Sequence, residues 1–256
     1  MEATNATPYA REAYWRVLQP FVDDEVAVRV GRASASFPIS TYPEYRVVNA
    51  IAGEEQPVIE ALLDRLEPDD VFYDVGANVG TYTCLIGDAL PGGEVVAFEP
   101  YPPNLASLRR NIEVNGVGAT VQEVALSDSE GTVTFSVLNT RKAGSQQGSL
   151  VRDVSSDRID VVSVDAVPGD ALVEAGEIPA PTVVKIDVEG AAPAVIRGLW
   201  RSLSADHCRV VCVEPHGNTE TIRDALSDLG FHVRSIGLSG PRAEESPTLL
   251  ATTEDA

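Results

Sequence analysis

Apolar residues fall along this chain in two rhythms. Short unbroken runs, Val71-Phe72-Tyr73, Val95-Val96-Ala97-Phe98, Val183-Val184 and Val210-Val211-Cys212-Val213, each lead within a few residues to an acid and then a glycine or proline. A run of that length without alternation suits a strand covered on both faces, as in a parallel sheet packed between helices. Between the runs the spacing changes to three and four. Leu105, Leu108 and Ile112 predict a helix over Pro102–Gly116, and further helices are expected over Thr81–Leu90, Ala191–Leu203 and Asn218–Leu229. Strands alternating with helices predict an α/β, doubly wound sheet. A third strand is expected from Ala119 to Ala125, others at Thr132–Val137 and Ile159–Val164, and closing strands at Phe231–Ile236 and Thr248–Ala251.

The first part of the chain has a different pattern. Glu25–Val30 and Ser34–Ile39 alternate apolar and polar positions around Gly31-Arg32, which predicts a β-hairpin. Helical spacing precedes it at 8–20 and follows it at Pro57–Leu66. Residues 1–66 therefore read as a helix and hairpin cap, and 67–256 as the sheet domain. The stretch 139–157 is polar, serine-rich and holds Gly144 and Gly148; it is expected to be a long loop, either a substrate lid or disordered.

Charge adds a second layer. The 256 residues carry 39 acids against 19 bases, a net charge of −20, and Lys142 and Lys185 are the only lysines. A dense acidic surface nearly free of lysine suits very high salt, where self-repulsion is screened, so a halophile is the expected source. The same charge argues against a nucleic-acid partner. No apolar run approaches the ~20 residues that span a bilayer. Residues 1–9 have neither the positive charge nor the apolar stretch of a signal peptide, so a soluble, cytoplasmic protein is expected. Cys84, Cys208 and Cys212 lack zinc-site spacing and read as small core residues.

The chemistry sits where the runs end. After the first, Asp74 is followed by Gly76, Ala77, Asn78, Val79 and Gly80 and then a helix. Strand, tight glycine turn and helix start make the ligand-binding corner of open α/β sheets. A dinucleotide loop would show Gly-x-Gly-x-x-Gly; this one shows Asp-x-Gly-x-x-x-Gly, which resembles the loop of S-adenosylmethionine (SAM) methyltransferases, in which the acid faces the methionine amino group; another nucleotide, or a turn with no ligand, is the alternative. Gly76 is expected to make the turn and Gly80 to leave room for the ligand at the helix start. Glu99 ends the second run about 20 residues past Gly80, where an acid meets a ribose diol. Asn104 is expected close to the cofactor, and Val124 and Ala125 beside the adenine. Asp187 and Glu189 follow the run at Val183-Val184, and Glu214 and His216 the run at Val210–Val213. His216 is the expected general base, with the acids as its orienters or substitutes. A metal on these acids and His216 is conceivable from their types, but none is assigned.

These blocks resemble the FkbM-type SAM-dependent methyltransferases: Asp74 through Gly80 with Asn78, Phe98 through Asn104 with Leu108, Asn111 and Asn115, Val124 through Asp128, and Lys185 through Gly190. The resemblance spans roughly 60–214. It implies a Rossmann-like, seven-stranded class I fold, SAM as cofactor, and O-methylation of a hydroxyl on a sugar, glycan or small metabolite. The family usually has an acid soon after the Glu-Gly pair, where this chain has Ala192-Pro193. An RNA methyltransferase and a catalytically silent SAM-binding protein are the alternatives.

The charge reading makes a prediction. Circular dichroism in dilute buffer is expected to show partial unfolding that molar potassium chloride reverses. A melting temperature that stays constant between about 0.1 M and about 2 M salt would contradict it.

Overall fold

The unbroken apolar runs form the middle of a seven-stranded sheet, and the rest of the chain covers it. The computed structural model describes residues 14–21, 24–51, 53–138, 149–150, 159–237 and 247–253. The cap holds α1 (14–18), a 3-10 turn (Gln19–Phe21), β1 (Glu25–Val30), β2 (Ala33–Pro38), α2 (Tyr42–Ile51) and α3 (Gln56–Leu63). Then come β3 (Val71–Val75), α4 (Thr81–Ala89), β4 (Glu94–Phe98), α5 (Pro102–Asn115) and β5 (Thr120–Gln122). A side region follows: β6 (Ala125–Leu126), β7 (Gly131–Leu138), β8 (Ser149–Leu150), β9 (Ile159–Val167) and α6 (Gly169–Glu174). The chain closes with β10 (Val183–Ile186), α7 (Ala192–Gly198), α8 (Trp200–Leu203), β11 (Val210–Val213), α9 (Thr219–Asp228), β12 (His232–Ile236) and β13 (Thr248–Thr252).

The main sheet has the order β12-β13-β11-β10-β3-β4-β5, with β13 antiparallel to both of its neighbours and the other pairs parallel. From β3 the chain winds outward through β4 and β5, then returns on the other side at β10. The switch between β3 and β10 opens a crevice beyond their carboxyl ends, the place where such sheets hold ligands. Register matters here: Asp74 lies opposite Lys185, and Lys185 opposite Cys212.

Two expected elements are cut short. The strand expected over Ala119–Ala125 ends at Gln122, because Ala125 and Leu126 turn away to pair with Ala166 and Val167 in a second sheet, β6-β9-β7-β8. The helix expected over Ala191–Leu203 breaks at Leu199 (φ −110, ψ 11). Asp170 explains the break by accepting the amides of Arg201 and Ser202 at 2.8 and 2.9 Å, which caps a fresh helix start at α8. The expected loop at 139–157 lies outside the described residues except for Ser149–Leu150, which pair with β7. Residues 1–13 also lie outside them.

The cap shares a core with the sheet. Phe37, Ile59 and Leu62 are fully buried in one cluster with Phe72, Leu85 and Ile86; each such side chain contributes about 1.5–3 kcal/mol. Helix α2 was not anticipated from periodicity, yet its signal is present. Thr41 and Glu44 form a capping box: the Glu44 carboxylate accepts the Ser40 and Thr41 amides, both at 2.9 Å, and the Thr41 hydroxyl accepts the Glu44 amide at 3.3 Å. The other carboxylate oxygen accepts Ser107 Oγ at 2.7 Å and Arg110 Nη2 at 3.0 Å on α5. One buried acid thus starts a helix of the cap and ties it to the sheet domain.

Replacing Glu44 by alanine removes a cap and charged hydrogen bonds together, and is expected to lower stability by about 2–4 kcal/mol in a urea titration. Glu44→Gln should recover part of this. A loss below about 0.5 kcal/mol for Glu44→Ala, the size of an ordinary surface change, would show that the cap is held in another way.

Candidate functional site

The loop after β3 is shaped by what surrounds it. The Gly76 and Ala77 amides both donate to the Phe98 carbonyl at 3.0 Å, which binds the loop to the end of β4. Gly76 has φ +80, and a Cβ there would lie 2.1 Å from the Asp187 carbonyl oxygen, so the loop after β3 rests directly on the one after β10. Gly80 also has φ +85, but the space beside it is filled by Leu108 Cδ1, 2.5 Å from where a Cβ would be. The room expected there for a ligand is instead the contact between α4 and α5.

Asp74 departs further from expectation. Its carboxylate is fully buried. One oxygen accepts the amide and hydroxyl of Thr83 at 3.0 and 2.6 Å, satisfying an N-terminal amide of α4 that the N-cap Gly80 has no side chain to reach. The other lies 3.2 Å from Lys185 Nζ. That ammonium is 6% exposed, stands 3.6 Å from Asp187, donates to the Gly76 carbonyl at 3.3 Å and lies 4.8 Å from the Tyr82 ring centre. Burial alone would lower the Lys185 pKa; Asp74, Asp187 and Glu55 reverse this and hold it protonated.

Three of the expected cofactor residues gather around the other side of the loop. Glu99 is buried and accepts the Asn78 amide at 2.9 Å and the Tyr101 amide at 2.8 Å, with Asn104 also bonded to it. Its desolvation outweighs those bonds and pushes the carboxyl up to about 7. Asn78 takes a left-handed backbone (φ 52), and its Oδ1 is buried without a hydrogen-bond partner among the described residues. An orphaned acceptor next to a carboxyl with spare lone pairs fits a ligand that presents hydroxyl and amino donors, as SAM does. Val124 packs against the cluster containing Phe98, and Ala125 is half-buried at the start of β6.

Beyond β10 and β11 the expected catalytic residues do meet. His216 Nε2 lies 2.9 Å from Asp187 and 3.8 Å from Glu214, while Nδ1 lies 3.3 Å from Glu189. The His216 backbone is left-handed (φ 44), a strained conformation for this residue that the bracing carboxylates help to hold. Burial would push the ring down, but the bond and charge of Asp187, then Glu214 and Glu189, lift it to about 9. Asp187, against its own burial, is drawn down to about 2 by Lys185 and His216. Burial and the Asp187 charge push Glu214 up to about 8, and burial raises Glu189. Both nitrogens of the ring expected as the base thus stand beside carboxylates, which favour its charged form. Asp187, Glu214 and His216 each place one donor atom within 4.8 Å of the others, a set a divalent ion can use once the ring is neutral.

Sequence reasoning missed the far wall of this site. A cleft beside Lys185, Asp187 and Glu214 is closed by Tyr82 and by Glu55 of the cap. Burial first, and then the charge of Asp187, push Glu55 up to about 7. No periodicity or motif marks Glu55; only the packing of the cap brings it here. Ala192, where an acid was expected, is fully buried in the core and does not reach the cleft.

Residues 74–233 match the methyltransferase FkbM domain. The chain is 32% identical over 191 residues to the hexuronic acid methyltransferase AglP of Haloferax volcanii, covering 73% of this chain and 72% of that one. It is 42% identical over 66 residues to the 31-O-demethyl-FK506 methyltransferase FkbM of Streptomyces tacrolimicus, covering 26% of this chain and 25% of that one. Among solved structures, a methyltransferase FkbM from Methylobacillus flagellatus superimposes with a TM-score of 0.55 at 18% identity, over 78% of this chain and 48% of that one. The precorrin-6y C5,15-methyltransferase of Geobacter metallireducens gives 0.51 at 17% identity, over 78% of this chain and 89% of that one. These two likenesses establish the shared α/β fold.

Asp74 generates the prediction of this section. Removing it leaves a buried ammonium short of one partner and a helix start uncapped, so Asp74→Ala is expected to lower stability by about 3–5 kcal/mol. Thr83→Ala, which removes a single neutral donor, should cost about 1 kcal/mol. Urea titrations check both, and an Asp74→Ala protein as stable as its parent would contradict the pairing.

Proposed function

The chain belongs to the FkbM methyltransferase family, enzymes that transfer methyl groups, and we propose that it uses SAM to methylate a hydroxyl oxygen on a sugar, glycan or small metabolite. The observation that carries this reading is the network of Asp187, Glu189, Glu214 and His216 at the ligand edge of the sheet, beside the loop from Gly76 to Gly80. Amine and ring-nitrogen acceptors have a lone pair to offer; a hydroxyl is a weak nucleophile that gains from a group ready to take its proton.

Bound SAM supplies an activated methyl group and a sulfonium charge. Asn78, Glu99 and Asn104 would hold the ribose and amino donors, with Val124 and Ala125 on the adenine side. Asp74, expected to touch the methionine end, would act through Lys185 and the start of α4. The role first given to His216 passes to Glu214. The charged ring has no lone pair free, so it holds Asp187 and Glu189 in place and offsets their charge. Of the carboxyls around the ring, Glu214 is the one lifted to about 8, and it is the first acceptor of the hydroxyl proton. The residues then chiefly align oxygen, carbon and sulfur for displacement.

The sign of the pH dependence follows. Glu214 accepts a proton only when ionised, and its carboxyl is lifted to about 8. Turnover should therefore rise from about pH 6 to about pH 9, and Glu214→Gln should abolish that rise and lower turnover by about 10²- to 10⁴-fold. SAM affinity measured by calorimetry should stay nearly unchanged in that variant. Glu99→Ala should do the reverse, weakening SAM by about 10- to 150-fold. An unaltered pH profile in Glu214→Gln would return the proton to another group. Failure of the parent protein to bind SAM would remove the reading altogether.

A further inference from the structure

We infer that Asn111 of α5 and Val47 of the cap are positioning residues for the cofactor: one by its carbonyl and one by its side chain, they hold Val79, and through it the left-handed backbone of Asn78. The inference rests on the SAM reading above and goes beyond it, since neither residue is among those expected to touch the cofactor. Asn78 is the point of the loop that needs holding. Its φ of 52 lies in the left-handed region, where a residue with a Cβ stays only if its surroundings fix it. Its Oδ1 is the orphaned acceptor left for a ligand's donors, and it is useful only while that backbone is held. On the N-terminal side the loop is fixed from outside: the Gly76 and Ala77 amides donate to the Phe98 carbonyl, and the Asn78 amide donates to Glu99.

The C-terminal side is held by α5 and the cap. Leu108 fills the space beside Gly80, yet a contact of that kind does not set the direction of a peptide. Asn111 does: its side chain is 1% exposed, and Nδ2 donates to the Val79 carbonyl at 2.8 Å. Stability alone explains this amide poorly. Asn111 Oδ1 is buried without a hydrogen-bond partner among the described residues, and an unpaired buried acceptor costs about as much as one hydrogen bond contributes. The Val79 side chain is fully buried and forms an apolar pair with Val47 of α2, apart from the larger clusters. Helices α2 and α5 are themselves joined, because Glu44, three residues before Val47, accepts bonds from Ser107 and Arg110. Val47 lies outside the residues 74–233 that carry the family domain, so in this chain the cap takes part in shaping the cofactor loop.

The test measures S-adenosylhomocysteine affinity by calorimetry on the whole folded chain, with a urea titration of each variant beside it. Asn111→Leu keeps the size of the side chain and removes the donor; Val47→Ala removes the packing on Val79. Each should weaken S-adenosylhomocysteine by about 5- to 150-fold, the strain of one left-handed residue expressed as affinity. Thr182→Ala is the stability control. Its hydroxyl donates to the buried Asp70 at 2.6 Å, just before β10 and β3 begin, at the end of the sheet away from the ligand loops. That variant should lower the urea midpoint and leave affinity within about twofold. A double-mutant cycle with Asn78→Ala separates positioning from a general loss of packing. Once Asn78 has been replaced, Asn111→Leu or Val47→Ala should cost little further affinity, whereas independent effects would multiply. Val47→Ala carries the test if Asn111→Leu does not fold. Affinity close to the parent's in either folded single variant, an equal loss in Thr182→Ala, or a cycle in which the losses multiply overturns the inference and leaves SAM use standing. A parent protein that does not bind S-adenosylhomocysteine would instead defeat the reading on which it rests.

Discussion

A buried ammonium governs this structure. Lys185 is nearly inaccessible to water, so its charge is tolerable only where carboxylates stand on fixed backbone beside it. The sheet register supplies this by setting Asp74 of β3 opposite Lys185 of β10. Asp187, just past the end of β10, supplies the second carboxylate. The strands that flank the crevice are therefore joined by side-chain charge as well as by backbone hydrogen bonds. The consequence reaches the ligand loops: the same ammonium donates to the Gly76 carbonyl, and the same Asp74 organises the first turn of α4. Asp187 in turn is held ionised and oriented toward His216. The loop after β3 and the carboxylates around His216 are thus two ends of one charged chain.

That arrangement explains which features were legible in the sequence. Strands buried on both faces announce themselves as unbroken apolar runs, and the glycines at 76 and 80 mark a loop whose backbone must take positive φ. Asp187, Glu189 and His216 could be brought together because strand ends share an edge in an open parallel sheet. What could not be read depended on contacts between distant segments. Nothing local in the sequence shows that Thr83 bonds one oxygen of Asp74 and that Lys185 stands beside the other. Gly80 looked like room for a ligand until Leu108 was seen against it. The capping box of Thr41 and Glu44 was readable and was hidden only by Pro43 and a short apolar face. Glu55 had no signal, since its place depends on how the cap packs.

The cap deserves its own weight in the functional account. A Rossmann-like sheet supplies the cofactor corner for many chemistries, so the sheet alone leaves the acceptor open. Here α3 closes one wall of the cleft, and Glu44 fastens the cap to α5. The carboxylates around His216 follow strands of the sheet, whereas Glu55 comes from the cap.

The proposed methyl transfer ends on a hydroxyl oxygen of a sugar, glycan or small metabolite. Labelling a cell-extract fraction with tritiated methyl from SAM, followed by mild alkali and ribonuclease, tests it directly. A methyl ether is predicted, so the label should stay with sugar-containing or small-molecule material through both treatments. Label released as volatile methanol would mean that a carboxylate is the acceptor and contradicts a hydroxyl acceptor, and label made soluble by ribonuclease would mean RNA and contradicts a sugar, glycan or small-metabolite acceptor.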